Sequence, residues 1–168
     1  MKLRRATLAD AREITDLVNY WFRTTGDVLP RTLDSVCESI RSWVVVEDEE
    51  GIAGCGALVV LGPELAEVRS VVVRPGRQGN GAGRTIVQQL LADAEEIRVP
   101  TVFTLTKTTG FFEKLGFQVT EMERFPRKVW KDCIHCAKFP ECDEVAMVLD
   151  KKGAADELVS QAMSVAAG

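Results

Sequence analysis

The sequence predicts an α/β protein in which a mixed sheet carries helices on both faces. Three observations lead there. Strand-like runs at Trp43 to Glu47, Ile52 to Leu61 and Ala66 to Val73 follow one another with only short punctuation between them. After Pro75 the apolar residues switch to helical spacing, with Ile86, Val87, Leu90, Leu91, Ala94 and Ile97 on one face. Beyond that helix, strand-like and helix-like segments alternate.

Each element has a local reason. Lys2 to Arg5 forms a short opening strand. Thr7-Leu8-Ala9-Asp10 pairs an N-cap threonine with an acid three residues on, and Ile14, Leu17, Val18 and Trp21 continue at helical spacing. Residues 23 to 31 read as a loop ending in Leu29-Pro30-Arg31. Thr32 then caps a second helix with Leu33, Val36, Cys37 and Ile40. Asp48-Glu49-Glu50-Gly51 turns the first central strand into the next, which holds Gly54 and Gly56, and Gly62-Pro63 separates that from the strand ending in Val71-Val72-Val73. Val102 to Thr106 is a strand. Phe111 to Leu115 is a short helix stopped by Gly116. Phe117 to Met122 is another strand, residues 123 to 143 are irregular, and Glu144 to Leu149 closes the sheet. The domain spans 1 to 150. The alanine-rich tail, 151 to 168, reads as either a loose helix or disorder.

Bulk properties narrow the function. A chain of 168 residues, 46% hydrophobic and 27% charged, fits one soluble domain with a full core. The net charge of -4, from 21 basic and 25 acidic residues, argues against a nucleic-acid binder. No apolar run approaches the roughly 18 residues of a membrane span. Met1 to Arg5 is basic, but no signal-peptide core follows it, so a cytoplasmic location is expected. Five cysteines, an odd number, suggest reduced thiols or metal ligands and not a disulfide framework.

The segment Gln78-Gly79-Asn80-Gly81-Ala82-Gly83-Arg84 joins a strand to a helix. Glycines let consecutive amides approach and converge on one spot. The helix start adds unpaired N–H groups and the positive end of its dipole. Diphosphate binding is the chemistry this suits, with Arg77 and Arg84 flanking the loop. A flexible turn is the plain alternative. A P-loop is excluded because Arg84-Thr85 follows the last glycine, where Lys-Ser/Thr is required. A dinucleotide fingerprint lacks its acid, since the next strand ends near Thr106-Lys107.

Val72-x-x-Pro75, Gln78-x-x-Gly81-x-Gly83, the helix after it and Phe111-Phe112-Glu113-Lys114-Leu115-Gly116-Phe117 together resemble the GNAT acetyltransferase superfamily. The resemblance covers residues 1 to about 150. It implies the GNAT fold, a mixed and mostly antiparallel twisted sheet, with acetyl-CoA as donor and a homodimer as assembly. It places the pantetheine arm against the backbone of Val71, Val72 and Val73, the pyrophosphate on the amides from Gln78 to Arg84, and Phe112 beside the cofactor. Leu29-Pro30-Arg31, Ala66-Glu67-Val68-Arg69-Ser70, Leu105-Thr106-Lys107 and Phe125-Pro126-Arg127-Lys128-Val129-Trp130 look like the short, kinase-free bacterial N-acetylglutamate synthases. Cys133-x-x-Cys136 and Phe139-Pro140-x-Cys142-Asp143-Glu144 look typical of one branch of them. That implies acetylation of the α-amino group of L-glutamate, the first step towards arginine.

Glutamate carries two carboxylates, so its pocket needs cations. Arg31 suits the α-carboxylate, as the matching arginine does in the family, while Lys128, Arg127 and Arg69 supply further charge. Each has a solvated or structural cation as its plain alternative. Val59 departs from the family, which often has a basic residue there. A smaller or amide acceptor such as glutamine, or a CoA-binding regulatory module, therefore stays open. Glu67 is the candidate general base, though Arg69 shares its face by alternation and could pair with it. The backbone N–H around Val72 is the candidate donor to the thioester oxygen. Phe111 and Phe112 stand where a tyrosine acid is usual, and the only tyrosine is Tyr20, so the acid is water, Cys133 or another side chain, or unnecessary. Cys133, Cys136 and Cys142, completed by His135 or Asp143, give a minor zinc reading; packed or surface thiols are favoured, with a redox pair as a third option.

Overall fold

The computed structural model describes residues 1–125, 133–137 and 141–150. Among the described residues there are seven strands and four α-helices: β1 Lys2–Arg5, α1 Ala11–Thr24, α2 Leu33–Glu38, β2 Trp43–Asp48, β3 Gly51–Gly62, β4 Leu65–Val73, α3 Ala82–Glu96, β5 Thr101–Thr106, α4 Thr109–Glu113, β6 Gln118–Thr120 and β7 Val145–Asp150. They fall into two compact units. One comprises Met1–Val59 with Glu67–Glu96, the other Val60–Ala66 with Ile97–Gly168.

In the first unit the strand order is β1-β2-β3-β4. β1 pairs antiparallel with β2, and β2 with β3, through a register shift at Val46/Glu47. Strand alternation sends neighbouring side chains to opposite faces. Trp43, Val45, Cys55 and Ala57 join Ile14, Leu17 and Val18 of α1 and Val36 of α2 in one buried cluster. The other face receives α3. There Gly54 and Gly56, paired with Val46 and Val44, lie against Ile86 and Leu90. A Cβ on Gly56 would stand 2.7 Å from Ile86 Cγ2, and one on Gly54 would stand 3.0 Å from the Val72 carbonyl oxygen. Glycine is needed there for close approach of helix to strand.

In the second unit the order is β5-β7-β6, with both pairings antiparallel. Its core holds Leu65, Phe103, Phe125, Ala146 and Val148, and the Phe103 and Phe125 rings stack at 4.2 Å. Thus the fold is the α/β, mostly antiparallel one expected. Among the described residues no helix is long and apolar enough to cross a membrane.

Helix ends account for most departures from expectation. Thr7 does start a helical segment: its N–H and hydroxyl both donate to Asp10 Oδ2, at 2.7 and 3.1 Å. The first turn is a 3-10 turn, Leu8–Asp10, before α1 proper. Thr32 caps α2 as expected, its Oγ1 accepting from the Ser35 N–H at 3.1 Å. Ile97 is not on the buried face of α3. The helix ends at Glu96, Arg98 takes a left-handed φ of 60°, and Ile97 is exposed. The strand expected over Phe117 to Met122 is only Gln118–Thr120, because the chain coils into a 3-10 turn at Met122–Arg124.

Candidate functional site

Most of the expected site residues lie in the first unit. Between β4 and α3 the chain reverses through Arg74-Pro75-Gly76-Arg77, with the Arg77 N–H donating to the Arg74 carbonyl at 3.0 Å. Gly76, Gly79 and Gly81 have φ of 81°, 81° and 89°. No atom lies within 4 Å of a Cβ built on any of the three. Glycine is therefore required by conformation and not by crowding. Asn80 Oδ1 accepts from the Ala82 N–H at 3.4 Å, and the Thr85 N–H donates to the Gly81 carbonyl at 3.0 Å, starting α3. Gln78 Oε1 accepts from the Gly76 N–H at 2.8 Å and so belongs to the turn as well as to the loop. Residues 78–81 are exposed, which leaves the helix start open to an anion.

The two arginines flanking the loop are used differently. Arg77 is committed to the β2–β3 turn, with Nε at 2.9 Å from Asp48 Oδ2 and Nη2 at 2.8 Å from Glu50 Oε2. The neighbouring Arg74 reaches Glu13 at 3.0 Å. A backbone hydrogen bond from Glu50 and both arginines hold the Asp48 carboxyl below its ordinary pKa. Arg84 is exposed and makes no ion pair among the described residues. Arg84, not Arg77, is the flanking cation available to a ligand.

β4 holds the central group. Glu67 is buried, and Arg69 Nη2 lies 2.5 Å from Glu67 Oε2. The pairing that strand alternation allows is realised, and Glu67 is not an exposed carboxylate at a strand start. Ser70 follows at φ 54°, a left-handed backbone that costs a non-glycine residue about 1–2 kcal/mol. Such strain persists only where neighbours over-determine it. Here Arg31 Nε donates to Ser70 Oγ at 3.3 Å. Arg31 is itself gripped by Asn19 of α1: its N–H donates to Asn19 Oδ1 at 2.9 Å, and its carbonyl accepts from Asn19 Nδ2 at 2.8 Å. Beyond Ser70, Val72 is buried, Val71 and Val73 are half-buried, and the Val73 carbonyl accepts from Trp21 Nε1 at 2.9 Å. A carbonyl oxygen has two lone pairs, so this bond still allows a second donor.

The structure thus brings Arg31 to Ser70, the residue next in the chain to the Arg69 that pairs with Glu67. Val59 is half-buried on β3. Phe112 lies in the second unit, buried edge-to-face between Phe111 and Phe117, with centroid distances of 5.0 and 5.3 Å. Lys128 and Arg127 lie outside the described residues, as does the tail from 151. Cys133 and Cys136 are half-buried, while Cys142 and His135 are exposed. Cys136 N–H closes a turn onto the Cys133 carbonyl at 3.0 Å, while Lys107 pairs with Asp143 at 3.0 Å. Among the described residues no three His, Cys, Asp or Glu side chains are placed to hold a metal ion. Asn19, Trp21 and the role of Ser70 carried no signal in the sequence. Asn19 is an ordinary helix residue twelve positions from its partner, and only the fold makes them meet.

Comparison with known proteins gives the same direction. A family model described as an acetyltransferase (GNAT) domain matches residues 39–119. An uncharacterized N-acetyltransferase of Chlorobaculum tepidum is 37% identical over 146 residues, covering 87% of this chain and 94% of its own length. An amino-acid acetyltransferase of Mycobacterium tuberculosis is 37% identical over 128 residues, covering 74% and 71%. A Mycobacterium tuberculosis crystal structure in complex with CoA and one further ligand matches at 30% identity with a TM-score of 0.76, covering 90% of this chain and 99% of that one. The N-acetylglutamate synthase of Neisseria gonorrhoeae, complexed with coenzyme A and N-acetyl-glutamate, matches at 22% identity with a TM-score of 0.79. This chain spans 34% of that one, and the likeness is one of fold.

Proposed function

We propose that this chain, which belongs to the GNAT acetyltransferase family and is an acetyl-CoA-dependent N-acetyltransferase, transfers the acetyl group to the α-amino group of an amino acid, L-glutamate. The observation that carries this reading is the placement of Arg31. Its guanidinium reaches β4 at Ser70, immediately before Val71 to Val73, while its backbone is fixed from α1. A cation at that point suits the α-carboxylate of an acceptor whose amine must meet the thioester beside the strand. The amino-acid acetyltransferase name of the Mycobacterium tuberculosis relative supports the same acceptor class.

Acetyl-CoA supplies an activated acyl group; the chain supplies position and charge. In this reading the amides from Gln78 to Arg84 take the diphosphate, and the backbone of Val71 to Val73 lines up the pantetheine. The Val72 N–H donates to the thioester oxygen as negative charge develops there. Glu67 removes the proton from the acceptor ammonium, with Arg69 holding its carboxylate in one orientation. The amine then attacks directly, with no acetyl-enzyme; the C–S bond breaks, the departing thiolate takes a proton from water, and the hydroxide so formed takes the remaining proton from the amide nitrogen. The product places the enzyme at the first step towards arginine. Cytoplasmic location and a homodimeric assembly belong to this same reading.

Glutamine is the second acceptor to weigh. Val59, half-buried and apolar, offers no cation to a side-chain carboxylate. The test is CoA release measured over free amino acids. L-Glutamate should give the highest kcat/KM, and Arg31→Ala should raise its KM by about 10- to 100-fold, as expected for a lost charge-assisted contact. The acetyl-CoA KM should hold. A preference for glutamine moves the acceptor, and an unchanged amino-acid KM in Arg31→Ala removes the pocket.

A further inference from the structure

We infer that Asn19 is a positioning residue for the acceptor site, acting through Arg31; this rests on the reading that Arg31 takes the acceptor carboxylate. The side-chain amide of Asn19 uses both its halves on one residue. Nδ2 donates to the Arg31 carbonyl at 2.8 Å, and Oδ1 accepts from the Arg31 N–H at 2.9 Å. This imitates one rung of an antiparallel ladder, made by a side chain in place of a second strand. Aspartate of the same size cannot donate, leucine can do neither, and glutamine carries the amide one methylene too far.

The clamp falls on one residue of the connection between α1 and α2. Pro30 has a fixed φ and no N–H to give, and Thr32 is already used as the cap of α2. Between them Arg31 would otherwise have to find partners for its backbone at a loop surface. With the backbone held, only the side-chain torsions of Arg31 remain to be ordered, and the Nε contact to Ser70 Oγ orders them from the other end. A guanidinium fixed at both ends is preorganised for a planar anion. Less rotamer freedom is lost when the anion binds. Asn19 belongs to α1, which is anchored by Ile14 and Val18 in the core, so the clamp transmits the position of a rigid helix to a loop cation.

A mere loop staple would show the same bonds, so the test must separate the two roles. Steady-state kinetics and thermal melting are measured on the parent chain, Asn19→Ala, Arg31→Ala and the double variant, with Asn19→Asp as a size-matched variant that keeps only the accepting half. Asn19→Ala should raise the amino-acid KM by about tenfold, since small misplacement of an anchoring group is costly. The acetyl-CoA KM should change less than about twofold, and Asn19→Asp should lie between parent and alanine. In the Arg31→Ala background the Asn19→Ala change should add nothing to the amino-acid KM. Effects that multiply in the double variant, or a fall in melting temperature with the amino-acid KM untouched, overturn the assignment of Asn19 alone. An unchanged amino-acid KM in Arg31→Ala instead overturns the acceptor reading, and this assignment with it. If Asn19→Ala does not fold, the Asn19→Asp comparison in the two Arg31 backgrounds decides.

Discussion

Gly56→Ala should destabilise the chain through a single contact. Its new Cβ would stand 2.7 Å from Ile86 Cγ2, with Val71 Cγ2 at 3.2 Å and Leu90 Cδ1 at 3.4 Å. Carbon pairs rest at about 3.5–4.0 Å, so Ile86 must withdraw by about 1 Å. Cγ2 is attached directly to the branched Cβ, and isoleucine in a helix has one strongly preferred χ1. The side chain therefore has little room to swing away, and α3 itself must shift. Overpacking of this kind costs about 1–3 kcal/mol, or roughly 2–12 °C in Tm for a chain of this size. Gly81→Ala is the counterpart. Nothing crowds its Cβ, but φ is 89°, and the loop is exposed and can relax to another backbone. That change should leave Tm nearly intact and raise the acetyl-CoA KM, because the amides no longer converge. Differential scanning calorimetry and initial-rate kinetics on both variants check this. A Gly56→Ala protein that melts within about 1 °C of the parent refutes the close seating of α3 on β3. A Gly81→Ala protein with the parental acetyl-CoA KM refutes the role of the loop.

Arg84→Ala should raise the acetyl-CoA KM by about three- to tenfold, more than Arg77→Ala does, since Arg77 is spent on Asp48 and Glu50; the reverse order in the two KM values would refute this division of roles. Glu67→Gln should lower kcat by about 10²–10⁴-fold with the acetyl-CoA KM retained, and parental kcat in that variant excludes Glu67 as the base. Arg4 makes a bidentate pair with Asp10 at 2.7 and 2.9 Å, and this holds the carboxyl at about 2 against the ordinary 3.8. The folded pKa lies below the unfolded one, so the stabilisation is present above pH 3.8 and is lost as pH falls through about 2. Asp10→Asn should accordingly cost about 2 kcal/mol at neutral pH, and urea titrations should show that gap closing between pH 4 and pH 2; a gap independent of pH would refute the ion pair as its source.

The elements were legible wherever one physical rule dominated locally. The β-branched runs, the threonine cap of α2, the 3.6-residue period of α3 and the stop at Gly116 each depend on neighbours in sequence, and each is observed. Ile97 fails because its phase continues the α3 face while the helix does not. The chain breaks at Arg98, whose left-handed φ has no compositional signal because the residue is not glycine. Gly54 and Gly56 were visible as glycines in a strand, yet their purpose is the approach of Ile86, thirty residues away. Close packing of that kind is a property of two elements at once, and no single window contains it.

The same division runs through the candidate site. The glycine loop proposed to take the diphosphate is a local device, built from the φ of three glycines and the start of one helix, so its conformation depends on neighbours in sequence. The proposed acceptor end is a chain of tertiary contacts: Asn19 to Arg31 and Arg31 to Ser70, with Arg69 of the Glu67–Arg69 pair immediately before the left-handed Ser70. Alternation alone foresaw only that Arg69 could face Glu67. This has a consequence for mechanism. Glu67 is buried with its carboxylate held in one orientation by Arg69. If Glu67 is the base, as proposed, it takes the proton only when the acceptor ammonium is held at its oxygen, where the acidity of the ammonium rises as it loses water. On the proposed reading, positioning by Arg31 and proton removal by Glu67 are coupled. Weakening the anchor should lower kcat as well as raise KM whenever the amino acid binds displaced. Donor recognition, if carried by the loop as proposed, stays outside that coupling.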